Sequence, residues 1–168
     1  MRNLDLQKFN SRNIRTMIPK IQDLINQAQD RYLASDELGL MESYINSLPE
    51  RLKLYKLIRD REIDILQAVA DQVPSELPNV TEADLETGIK NLILVLRYSS
   101  MAMLLNDENF LKQRLLNWLE GIMSMRDMRR LNETLYKLLN QGLRQQVSPV
   151  QLALIQPLIT AAQVTLIY

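Results

Sequence analysis

From Thr87 to Asp107 the chain reads TGIKNLILVLRYSSMAMLLND, a proline-free stretch in which Ile89, Leu92, Ile93, Leu96 and Ala102 to Leu105 recur at helical spacing. Apolar residues three and four apart form a stripe along one side of a helix, and that side must be covered by protein. A helix this long and this apolar is a core element on which the other segments pack. Lys90, Asn91 and Arg97 interrupt the run. A charge at the centre of a bilayer costs at least ~2.5 kcal/mol, so no membrane insertion is expected. Thr81 followed by Asp84 supplies an N-cap, and Asn106-Asp107 a polar break at the other end.

With 168 residues the chain has the size of one domain, enough to bury roughly 70% of its unfolded surface. Apolar residues make up 46% and charged residues 24%, with four glycines and six prolines. That balance belongs to an ordered, mostly helical protein, and the fold class is all-α. Twenty basic and twenty acidic side chains cancel, so no global field draws the chain to nucleic acid. The chain contains no cysteine and no histidine. This excludes disulfides, thiolate nucleophiles, the usual zinc ligand sets, imidazole acid/base chemistry and a histidine-ligated haem. The scattered glycines form no phosphate loop and no G-x-S-x-G elbow occurs, so the reading is of a non-enzyme with no catalytic residues and no metal site.

The remaining segments read as helices with one clear loop. Residues 4–31 place Ile14, Met17, Ile18, Ile21, Leu24 and Ile25 on one side, preceded by Leu4, Leu6 and Phe9, with Pro19 expected to bend or split the helix. This N-terminal helical pair, 1–31, is read as an extension whose apolar residues Phe9, Ile14, Ile18, Ile21 and Ile25 form an oligomer interface, the alternative being that the pair folds back onto its own domain. Its start, MRNLDLQKF, lacks the apolar core of a secretory signal, and a cytoplasmic location is expected. Ser35 begins a short helix through Leu48. Ser47-Leu-Pro-Glu50 reads as a capping box opening a second helix, whose core face is Leu52, Leu54, Tyr55, Ile58, Ile63, Leu66 and Val69. Arg59, Arg61, Glu62 and Asp64 are read as a solvated face. VPSELPNVT, residues 73–81, is the loop. Asp107 starts a helix carrying Phe110, Leu111, Leu115, Trp118, Leu119 and Ile122, with Trp118 expected in the core. A further helix is expected to end near Gly142, and Ser148-Pro149 with Gln151 caps a last one over Val150 to Ile167, bent at Pro157.

Several short strings lie in a suggestive order. They are Arg31-Tyr32-Leu33, Glu37-Leu38, Tyr44-Ile45, Arg51-Leu52, Leu96-Arg97-Tyr98 before Asn106-Asp107, and Leu111, Arg114, Leu116, Asn117 and Leu119. In order and nearly in spacing they resemble the phycobiliproteins, the light-harvesting subunits of the phycobilisome. The resemblance runs from about Asp30 to Met125. It implies a globin-like phycobiliprotein fold of about eight helices: a single domain over 1–168, with the N-terminal extension ahead of a globin-like core at 32–168.

The same resemblance puts the bilin site in question. Where that family attaches its open-chain tetrapyrrole to a cysteine, this chain has Gly88. The arginine that pairs the propionate corresponds to Lys90, which keeps the charge without the bidentate fork. The aspartate that holds the pyrrole nitrogens corresponds to Asn91. Where the family tends to supply arginines upstream, Asp84 would repel a propionate. The expectation is a degenerate bilin pocket at Asp84, Gly88, Lys90 and Asn91 with no covalent cofactor, the structural alternative being that Lys90 and Asn91 are polar residues on the outside of a core helix. The implied role is assembly, attachment or regulation of the antenna at the cytosolic face of the thylakoid, with a related phycobiliprotein-type subunit or a second copy as partner. Two alternatives stay open: a protein that holds bilin non-covalently for delivery or removal, and a pigment-free signalling module on a globin scaffold.

Overall fold

The structure is a computed structural model that describes residues 19–123 and 128–167. In order it comprises α1 (Pro19–Gln27), α2 (Ser35–Glu76), α3 (Glu82–Leu105), α4 (Glu108–Leu111), a π-helical turn over Lys112–Leu116, α5 (Asn117–Met123), α6 (Arg129–Gln146) and α7 (Pro149–Ile167). No strand occurs among the described residues, and the fold is all-α.

Four long helices make the core. α3 packs on α2, α6 and α7, and α6 in turn packs on α2 and α7. The contact layer is Leu54, Ile58, Ile65 and Val69 of α2, Val95, Leu96 and Met103 of α3, Leu135, Leu139 and Leu143 of α6, and Ile155 and Ile159 of α7, each no more than 2% exposed. α3 and α7 meet the length and apolarity needed to cross a membrane, and here both serve as core helices. α7 closes over the core, with Leu158, Ile159 and Ala162 buried and Leu154 packed against the buried cluster.

The largest departure from expectation is at Pro49. Instead of starting a helix, it lies inside α2, which runs 42 residues without a break. An interior proline costs about 3 kcal/mol because it leaves a carbonyl unpaired and crowds the preceding turn. Contacts on both sides of it hold the helix together. Ser47, rather than capping, donates its hydroxyl to the Tyr44 carbonyl at 2.7 Å and accepts from Arg51 Nε at 2.8 Å. Tyr44 Oη then donates to the Leu104 carbonyl, while the Arg51 guanidinium donates to the Met103 carbonyl and to Asn106 Oδ1. Arg51 is only 8% exposed. Its charge caps the negative end of α3, so the proline is bracketed by two residues tied to one helix terminus.

Other boundaries follow local chemistry. α2 begins one residue early in effect: Ala34 is the N-cap, and the Glu37 carboxylate accepts from the Ala34 amide at 2.7 Å and pairs with Arg31 at 2.6 Å. Thr81 caps α3 through the Asp84 amide, and Asp107 caps α4 through the Phe110 amide. Asn106 turns the chain between them at φ 52°, a left-handed conformation that asparagine tolerates. Ser148 and Gln151 cap α7 reciprocally. The expected loop at 73–81 is shorter, because α2 runs through Pro74 to Glu76. Gly142 does not end α6, which continues to Gln146 because Leu143 and Val147 are buried and hold its last turn.

Side-chain placement also corrects the stripe readings. Ile63 is 79% exposed, Leu52 46% and Trp118 57%. Ile122 also lies outside the core, whereas Ile65 and Leu116 lie within it. The reason is geometric for α5: the π-helical turn over Lys112–Leu116 adds a residue to the ladder and rotates the helix beyond it, so the stripe through Leu111 and Leu115 does not extend to Trp118.

Candidate functional site

Gly88 is buried in the second turn of α3. A Cβ placed there would lie 2.7 Å from Leu135 Cδ1 and 3.3 Å from Leu131 Cδ2, so α6 rests directly on the glycine. Glycine is favoured here by this close approach to the ends of two leucine side chains, since its backbone angle is an ordinary one. Leu135 is 1% exposed and Leu131 6%, so the space in which a side chain at position 88 would extend is filled by core leucines.

The other three sequence candidates do not converge on it. Lys90 is exposed and pairs with Glu86 at 2.6 Å along the outside of α3. The pairing also holds the Glu86 carboxyl below its usual range, chiefly through the hydrogen bond from Lys90. Asn91 is half-buried. Asp84 works at the N-terminus of α3, where its Oδ2 accepts from the Thr81 hydroxyl at 2.7 Å. It also lines a cleft of 350 Å3 between the α2–α3 connection and the start of α6, with Glu76, Leu77, Met128, Arg130 and Leu131 among its walls. That volume is at the lower end of the ~300–1,000 Å3 of small-molecule sites. Two carboxylates, Glu76 and Asp84, face one guanidinium, Arg130, and Glu76 is further engaged by Lys137 at 2.8 Å. The chain holds no cysteine, the position for one is packed shut, and the cation two residues on is turned away. These residues do not fit a covalently held tetrapyrrole.

Among the described residues no cluster of acidic side chains has metal-ligating geometry. Of the interface residues read from the sequence, Phe9, Ile14 and Ile18 lie outside the described residues. Ile21 is half-buried and Ile25 is 44% exposed on α1, whose Leu24 is buried.

Several residues of the strings that prompted the resemblance turn out to be struts, while others, such as Tyr32 and Ile45, are exposed. Arg31 grips Glu37 and Gln27. Arg51 caps α3 at Asn106. Arg97 makes a two-pronged pair with Glu62, at 2.8 and 2.6 Å, that ties α3 to α2, so Glu62 is a cross-helix partner and not part of a solvated face. Tyr98 stacks on Phe110 with ring centroids 5.9 Å apart. Sequence reading missed the roles of Arg51, Glu62, Leu131 and Leu135. For Arg51 a signal existed, since an arginine four residues after a serine beside a helix-internal proline has a hydroxyl within reach. For Leu131 and Leu135 none did, because their contact with Gly88 joins two distant helices.

Comparison with known proteins agrees with the layout. Residues 24–128 match the family described as phycobilisome protein. The allophycocyanin subunit beta-18 of Pyropia yezoensis is 31% identical over 98 residues, and that of Porphyra purpurea 28% over 98 residues. Each match takes in 54% of this chain and 58% of the relative, so it spans less than two thirds of either relative's length. The leucines that close on Gly88 belong to α6, which lies beyond the family match.

Proposed function

Because this chain belongs to the phycobilisome protein family, with its globin-like all-α fold, we propose that it is a non-catalytic phycobiliprotein paralog that works without covalent bilin. Its role in this reading is assembly, attachment or regulation of the light-harvesting antenna at the cytosolic face of the thylakoid. The observation that carries the reading is at Gly88. A pigment-bearing subunit needs a thiol and an open wall there, and this chain has neither: no cysteine anywhere and two core leucines against the glycine. Meanwhile Arg31–Glu37, Arg51–Asn106 and Arg97–Glu62 tie the helices together within the residues that match the family. A scaffold tied in this way, with the wall at the glycine filled, suits a protein that meets related subunits through its surface.

The cleft beside Asp84 favours one competing reading, a protein that holds bilin non-covalently for delivery or removal. Two measurements separate the readings. Co-expression with a bilin source, followed by visible spectra before and after denaturation, is expected to give a colourless protein; absorbance lost on denaturation supports the competitor. Incubation with phycobilisomes followed by sedimentation is expected to carry the chain down with them. A chain that stays in the supernatant and captures no phycobilisome subunit refutes the proposal.

A further inference from the structure

Between α2, α3 and the short α4 lies a cleft of 510 Å3, inside the ~300–1,000 Å3 of small-molecule sites. In a chain that is only 5% aromatic, each of the three helices contributes one ring to its walls: Tyr55 from α2, Tyr98 from α3 and Phe110 from α4. Tyr98 and Phe110 stack within 25° of parallel, which holds both rings in place before any ligand arrives. Met101 adds a thioether beside them, a flexible group that packs well on rings. Walls of this kind suit a flat ring system. The polar part of the cleft is as specific. Arg97 and Glu62 line it and hold each other by two hydrogen bonds, and Arg59 is paired with Asp60. The walls therefore carry no uncompensated charge. Glu62 is 16% exposed and Arg97 60%, so the carboxylate is the inner partner of the pair. It keeps lone pairs beyond the two that Arg97 engages. Ser100, also in the wall, gives its proton to the Leu96 carbonyl at 2.7 Å and has only an acceptor left to offer.

We propose that this cleft binds a small, uncharged, planar aromatic molecule that carries a hydroxyl or a ring N–H on one edge. The rings of Tyr55, Tyr98 and Phe110 take its faces, and its edge donates to Glu62 or Ser100. Charge selects the occupant. An anion meets the inward carboxylate of Glu62 and has to shed its water against the aromatic walls. A cation has to displace the two-pronged Arg97 guanidinium to reach that carboxylate. An uncharged donor bears neither cost and leaves the tie between α2 and α3 intact. The inference stands apart from the antenna reading, which rests on Gly88, and the cleft is not the one beside Asp84.

Isothermal titration of the full chain with β-naphthol, uncharged at neutral pH, is expected to show one site with a Kd on the order of 100 μM. Its methyl ether keeps the rings and loses the donor, and β-naphthoate carries a charge. Each is expected to bind at least ~10-fold more weakly. Met101→Trp fills the cleft and is expected to abolish binding with unchanged helicity. In the unaltered chain with isotope-labelled methionine methyls, the Met101 signal is expected to move on adding β-naphthol while that of Met41, outside the cleft, stays still. This second measurement decides the matter even if the tryptophan variant fails to fold. No saturable binding by roughly 1 mM β-naphthol, a Met101 signal that does not move, full binding by folded Met101→Trp, or either analogue binding as tightly as β-naphthol overturns the proposal. If β-naphthol does not bind and Met101→Trp abolishes capture of a phycobilisome subunit, the cleft takes a side chain of that subunit: the small-ligand proposal is refuted and the antenna reading stands. Specific β-naphthol binding by a chain that ignores phycobilisomes does the reverse.

Discussion

Adding a single Cβ at Gly88 measures how tightly α6 has closed over that position. An interior glycine changed to alanine gains about 1 kcal/mol of helix propensity. At Gly142 nothing lies within 4 Å of the new Cβ, and Gly142→Ala is expected to keep that gain whole. At Gly88 the methyl meets Leu135 Cδ1 at 2.7 Å and Leu131 Cδ2 at 3.3 Å. Overfilling a packed core costs about 1–3 kcal/mol, which the end of a leucine side chain relieves only in part when it is itself fully buried. Gly88→Ala is therefore expected to be neutral to about 2 kcal/mol destabilising, and the two substitutions to differ by about 1–3 kcal/mol. Urea unfolding followed by far-UV circular dichroism reads the difference directly. Gly88→Cys extends the test, being more destabilising than alanine, and Leu135→Ala in the same chain should lose less than the sum of the single losses because one change makes room for the other. If Gly88→Ala stabilises as much as Gly142→Ala, α6 does not rest on position 88 and the closed-wall account of the missing pigment fails.

Arg51→Met should cost about 3 kcal/mol, since it strips the cap from Met103 and Asn106 and leaves Pro49 held from one side only; hydrogen exchange should show α2 opening near Pro49 before the rest of the core, and uniform exchange along α2 would refute the bracket. The Glu37 carboxyl is drawn down from 4.5 to about 2, first by its hydrogen bond from Arg31 and next by that from the Ala34 amide. A lowered folded pKa means that the pair stabilises α2 above the ordinary carboxylate range and is lost as pH falls from there through about 2; an NMR titration midpoint for Glu37 that does not rise in Arg31→Ala would contradict this. Trp118 is 57% exposed and the sole tryptophan, so fluorescence should be readily quenched by iodide in the native state and shift little on unfolding; a blue-shifted, protected emission would return it to the core.

How far the sequence carries depends on whether each signal is local. Thr81 with Asp84, Asp107 before Phe110, and Ser148 with Gln151 were readable because a cap joins residues three apart, and each holds in the structure. The apolar spacing of α3 was readable for the same reason, and it fixed an all-α core. The candidate site was legible only in what it lacks. The absence of cysteine excludes the thioether outright, while Lys90 and Asn91 could not be placed inside or outside from their identities, and the pairing of Lys90 with Glu86 put it outside.

By itself, then, the sequence determined the helical class, the caps at Thr81, Asp107 and Ser148, the family likeness and the absence of any thiol for covalent pigment, because composition and short-range spacing suffice for each. Only the tertiary structure decided that Pro49 sits within one unbroken helix, that Trp118 faces solvent, and that Gly88 is sealed by Leu131 and Leu135. The first and last depend on contacts between residues far apart in sequence, and Trp118 on the π-helical turn just before it. Local propensity is blind to such contacts, and here they outweigh a penalty of about 3 kcal/mol at the proline.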